Sequence, residues 1–81
     1  MTYPITIMER HTLEVIHDLE KEFKYAPTQQ EVADKMGISQ ALVSRRIRAL
    51  KEKGYIKSLN QFKRSITLAK LGVEYFIAKG E

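Results

Sequence analysis

Thr28-Gln29-Gln30-Glu31-Val32-Ala33-Asp34-Lys35-Met36-Gly37-Ile38-Ser39-Gln40-Ala41-Leu42-Val43-Ser44-Arg45-Arg46-Ile47-Arg48-Ala49-Leu50-Lys51-Glu52-Lys53-Gly54 is the stretch on which the reading of this chain turns. Thr28 with Glu31 three residues on is a capping box, in which each side chain satisfies a backbone N–H that the helix start leaves open. Val32, Ala33 and Met36 then supply the inner face of a short helix over 28–36. Gly37 stops it, glycine being the residue that takes φ > 0 most readily. Ile38 is expected as a buried plug after the turn, and Ser39 as the N-cap of a helix over 39–53. Val43, Ile47 and Leu50 recur at the i, i+4, i+7 spacing of a core stripe. Lys51 and Lys53 suit the negative end of that helix, and Gly54 its cap.

Two helices joined by a short glycine-containing turn, the second of them basic, form a helix-turn-helix arrangement. Ala33 is the small residue where the helices approach, and Val43 anchors the second to the first. On the N-terminal side, Thr6 and Glu9 form another capping box, opening a helix over about 6–24. Met8, Leu13, Val15, Ile16, Leu19 and Phe23 mark its buried face, and the segment before Pro27 is expected to end it. After Gly54 the period changes to two, with Ile56, Ile66 and Leu68 turned inward, so 55–68 reads as a β-hairpin with a loose tip at 60–64. A last helix is predicted over 69–79. The whole is read as one domain, 1–81, mainly α with a small antiparallel β-hairpin (α+β).

Eighty-one residues hold one core, and 43% hydrophobic with 30% charged residues is a globular composition. No apolar run is long enough to span a membrane, and the first residues lack the pattern of a secretory signal. With no cysteine there is no disulfide framework or thiolate metal site, which fits a cytoplasmic location. The net charge of +4 is unevenly placed. Residues 1–38 hold four basic and seven acidic side chains, a net −3. Residues 39–64 hold eight basic ones (Arg45, Arg46, Arg48, Lys51, Lys53, Lys57, Lys63, Arg64) against Glu52 alone, a net +7. Residues 65–81 balance to zero. So concentrated a positive segment is the footprint of a surface that meets a polyanion, although a solvated basic face would carry the same charges.

The run Pro27-Thr28-Gln29-Gln30-Glu31-Val32-Ala33-Asp34-Lys35-Met36-Gly37 resembles the second helix of the LexA-type repressor DNA-binding domain. Leu42-Val43-Ser44-Arg45-Arg46-Ile47-Arg48-Ala49-Leu50-Lys51-Glu52-Lys53-Gly54-Tyr55-Ile56 resembles the recognition helix and first wing strand of MarR-type winged helix regulators. Ile66-Thr67-Leu68-Ala69-Lys70-Leu71-Gly72 is similar to the end of the wing and the next helix in that second family. The resemblance implies a winged helix-turn-helix fold, in the order helix, helix, helix, strand, strand, helix, that binds double-stranded DNA. The LexA-type protease domain and the MarR-type effector-binding helices are not carried over, and no small-molecule ligand is expected. The MarR-type pattern has a hydroxyl residue where this chain has Ala69.

Rotation about the third helix gives the same picture. At 100° per residue the face opposite Val43 is centred near Arg45. The candidate base-reading residues are Gln40, Ala41, Ser44, Arg45 and Arg48, since the N-terminal half of a recognition helix reaches base edges in the major groove. Candidates for the DNA backbone or wing contacts are Thr28, Gln29, Gln30, Ser39, Arg46, Lys51, Lys63 and Arg64. Arg46 could equally lay its stem on the core. Phe62 either wedges against sugar and base or folds back on its own wing.

Catalysis is not expected. His11 and His17 do not share a helix face at metal-ligand spacing, and there is no phosphate-cradling glycine loop. No metal or cofactor is expected either. The last helix has two apolar arcs: Ala69, Val73, Phe76 and Ile77, and, nearly opposite, Leu71, Tyr75 and Ala78. The second arc is the expected seam of a twofold homodimer. The expected function is therefore sequence-specific DNA binding by a small homodimeric transcriptional regulator, a repressor acting by occlusion. The alternative is a winged helix used for protein contact in a replication or transcription assembly.

Overall fold

The computed structural model describes residues 5–58 and 66–80. Four helices and a two-stranded antiparallel hairpin follow one another as α1 (Ile7–Phe23), α2 (Gln29–Met36), α3 (Gln40–Glu52), β1 (Ile56–Lys57), β2 (Thr67–Leu68) and α4 (Lys70–Ala78). This is the winged helix-turn-helix order. In the hairpin Ile56 faces Leu68 and Lys57 faces Thr67. Phe62, Lys63 and Arg64, at the expected wing tip, lie outside the described residues.

Both capping boxes form. The Thr6 and Thr28 hydroxyls accept from the backbone N–H of Glu9 and Glu31, at 3.0 and 3.1 Å, and each glutamate accepts its threonine's N–H in return. α1 ends where the sequence places it, ahead of Pro27. Lys24 takes a left-handed conformation, φ 66°, and its N–H reaches the Glu20 carbonyl, so the helix is closed three residues before Pro27. At the tight turn Gly37 adopts φ 70°, and the N–H groups of Gly37 and Ile38 both reach the Ala33 carbonyl. Ile38 is half-buried against the core.

Leu13, Ile16 and Leu19 from α1, Val32 and Ala33 from α2, and Val43, Ile47 and Leu50 from α3 form the centre of the core. Tyr55, Ile56, Ile66 and Phe76 close it from the wing and α4. Met8, expected on the inner face of α1, is instead 46% exposed, and that face is carried by Thr12, fully buried, whose hydroxyl donates to the Met8 carbonyl at 2.9 Å. A threonine can turn inward there because its own helix absorbs its polar group.

α4 corrects the sequence reading most. Ala69 caps it without a side-chain hydrogen bond. Its buried residues are Gly72 and Phe76, flanked by half-buried Leu71 and Tyr75, which pack against the core. Leu71 and Tyr75 therefore belong to the inner face, and Ala78 is exposed beside them. The large apolar side chains that α4 exposes are Val73 and Ile77, 44% and 66% accessible. Gly72 is what lets α4 approach: a Cβ there would run into the Tyr55 carbonyl oxygen and press on Leu68. Backbone cannot yield as a flexible side chain can. Gly72→Ala should therefore push α4 off the wing and cost about 1–3 kcal/mol in thermal or urea unfolding; an unchanged melting temperature would contradict this packing.

Candidate nucleic-acid interface

The orientation of α3 is set from within. Ser39 caps it by accepting from the Leu42 N–H at 3.2 Å, and Val43, Ile47 and Leu50 are buried to 3% exposure or less. Those three anchors turn Gln40, Ala41, Arg45, Arg48 and Lys51 to solvent, with Ser44 half-buried at the edge. Arg46 lies off this face. It is half-buried, and one of its guanidinium nitrogens is buried with no hydrogen-bond partner among the described residues.

Beside the exposed face runs a shallow groove lined by Gln29, Ser44, Ile47, Arg48, Lys51 and Ser58. The first residue of α2, one flank of α3 and the residue after β1 meet there. Of the residues expected at the DNA backbone, Gln29 and Lys51 line it. Thr28 and Ser39 do not line it; their hydroxyl oxygens accept backbone N–H groups as helix caps, and Gln30 turns back to Asp34, donating at 2.8 Å. Ser58 is absent from the sequence-derived set. Its position depends on how the chain leaves the Gly54 turn, which no local pattern encodes.

Ion pairs decide which of the positive side chains stay available. Lys53 is withdrawn: its ammonium lies 2.6 Å from Glu9, the glutamate that also caps α1. Among the described residues, Arg45, Arg48, Lys51 and Lys57 keep exposed side chains in the positive segment. Across α1, Glu14 accepts from both the Tyr75 hydroxyl, at 2.7 Å, and the Lys79 ammonium, at 2.8 Å. Lys79 also sits over the Tyr75 and Phe76 rings, 5.6 and 5.9 Å from their centroids. His11 is exposed, and His17 stacks on Phe76 with ring centroids 3.8 Å apart. No group of three or more His, Asp or Glu side chains that could hold a metal occurs among the described residues. None of the described helices is long and apolar enough to cross a membrane.

Residues 27–57, which take in α2, α3 and β1, match the model of a family described as winged helix-turn-helix DNA-binding. No curated protein matches the chain.

The two glutamates make the fold acid-sensitive. Partial burial works against ionisation of Glu9, but the Lys53 hydrogen bond, the Thr6 N–H and the Lys53 charge outweigh it and hold its carboxyl below the ordinary value. For Glu14 the Lys79 and Tyr75 hydrogen bonds lead, and its carboxyl is likewise lowered. Burial, then the hydrogen bond to Glu14, raises the Tyr75 hydroxyl. A carboxylate with a lowered folded-state pKa binds fewer protons in the folded than in the unfolded chain. Its stabilisation is complete above the unfolded value, about 4.3, and disappears as pH falls through the folded one. The double variant Glu9→Gln/Glu14→Gln should lose stability at pH 7 and show a flatter decline in melting temperature below about pH 4.3. An acid limb as steep as that of the unmodified protein would contradict these pairings.

Proposed function

We propose that this winged helix-turn-helix domain reads duplex DNA in a sequence-specific way as a small transcriptional regulator, a repressor that acts by occluding its site. The observation that carries the reading is the outward face of α3, where Ala41 and Arg45 are exposed together in the N-terminal half of the helix, with Gln40 exposed at its first residue. That half enters a major groove, and these side chains suit base edges: arginine pairs bidentately with guanine, glutamine with adenine, and alanine meets a thymine methyl. The acids of α1 are kept off this face because α1 packs against the inner side of α3. Glu52, the one acid of the positive segment, stands at the far end of the helix.

A single recognition helix makes few base contacts, so useful specificity favours two copies on a twofold site. The described residues measure 30 × 24 × 24 Å, commensurate with recognition helices about 34 Å apart, one turn of the duplex. Val73 and Ile77, four residues apart on the exposed side of α4, are the pair available for that seam in place of Leu71 and Tyr75. Light scattering should give the mass of two chains, and a monomer with one chain per site would remove the pairing.

Selection of bound sequences from random duplexes should return a defined motif. On that motif Arg45→Ala should weaken binding by about 1–3 kcal/mol and relax preference at one base position, without changing the melting temperature. Equal weakening on the motif and on random duplex would contradict base reading by Arg45.

A further inference from the structure

α4 has no side-chain cap, so the N–H groups at its start need acceptors from elsewhere. The Ala69 N–H donates to the Tyr55 carbonyl at 2.9 Å, and the Leu71 N–H to the Gly54 carbonyl at 3.3 Å. The same two residues close α3. Gly54 donates its N–H to the Lys51 carbonyl at 3.1 Å, and Tyr55 to the Leu50 carbonyl at 2.9 Å. Gly54 and Tyr55 thus end α3 with their N–H groups and begin α4 with their carbonyls, a two-residue bridge of backbone between the helices. Packing tightens it: Leu71 covers Gly54, Tyr55 is buried, and Gly72 lacks the Cβ that would collide with the Tyr55 carbonyl oxygen. α4 meets α1 differently, through the side chains of Glu14 with Tyr75 and Lys79 and of His17 with Phe76. Such side chains can follow a small shift of α4. The backbone bridge cannot.

We infer that Gly72, seated on the Gly54–Tyr55 bridge, sets the distance between the two half-sites that a pair of these chains reads. The inference rests on the pairing through Val73 and Ile77 proposed above and deepens it. The seam lies on the outward side of α4, and the base-reading face lies on α3. The bridge joins those helices, so it fixes the angle between seam and reading face. Twofold symmetry doubles any change in that angle. One base pair is about 3.4 Å along the duplex, so a displacement of about 1.7 Å in each α3 changes the matching spacing by one pair. Gly72 is a positioning residue: it touches no base, and its effect is on spacing rather than on the half-site sequence.

Dissociation constants are measured on duplexes that carry two copies of the selected half-site, their separation varied one base pair at a time, and on a duplex with one copy. The proteins are the unmodified chain, Gly72→Ala, Leu71→Ala and the double variant Val73→Glu/Ile77→Glu, each with a melting curve and a mass by light scattering. The unmodified chain should favour one separation over its neighbours by about tenfold. Gly72→Ala should remain a pair and bind the single half-site within about twofold of the unmodified chain, while its optimum moves by a base pair or its preference falls below about threefold. Leu71→Ala uncovers Gly54 without adding a Cβ at position 72, and it should also flatten the preference; it carries the test if Gly72→Ala does not fold. A purely structural role would weaken binding by the same factor at every separation. That result, or an unchanged optimum with its full margin, would overturn the role of Gly72. An unmodified chain that shows no preferred separation, like the double variant, would instead overturn the pairing on which the inference rests.

Discussion

Val43, Ile47 and Leu50 fix the rotation of α3 about its own axis, and the geometry of the interface depends on that one constraint. Each is buried to 3% exposure or less, and full burial of such a side chain is worth about 1.5–3 kcal/mol. Turning the helix by a single residue would bring Ser44, Arg48 and Lys51 toward the core in their place, with no partners for their polar groups. The exposed set of Gln40, Ala41 and Arg45 is thus specified by the three apolar residues behind it. The turn at Gly37 and the caps at Thr28 and Ser39 set where α2 and α3 start and stop, which places Gln29 beside the flank of α3.

Much of this was legible in the chain, because the determinants are local. A capping box needs two residues three apart, a helix stripe needs spacing alone, and the change of period after Gly54 marks the hairpin. What escaped depends on partners distant in sequence. Met8 and Thr12 are one helical turn apart, and which of them faces inward follows from where the other helices pack. Lys24 closes α1 in a left-handed conformation that its residue type does not announce. On α4, two arcs of comparable apolarity gave no local basis for choosing between them. The choice is made by Gly72, which admits the Tyr55 carbonyl, and by Glu14, which engages Tyr75 and Lys79 from a helix more than fifty residues earlier.

The same long-range pairs revise the charge distribution. Eight basic residues in 39–64 suggested a broad cationic surface. Lys53 is spent on Glu9, and Arg46 tucks a guanidinium nitrogen inward, so among the described residues the exposed positive charge of this segment is Arg45 at the crest of α3, Arg48 and Lys51 along the groove, and Lys57 on β1. Pairing Lys53 with the cap of α1 also braces the far end of α3.

The most direct measurement is an amide chemical-shift titration of the labelled protein with a short duplex at low salt. Perturbations should concentrate on residues 39–51, on Gln29 and on Ser58, and should shrink steeply as salt is raised. The acidic surface of α1 should stay unperturbed. Shifts centred on α1 or on the exposed side of α4, or a spectrum that duplex leaves unchanged, would contradict recognition through α3.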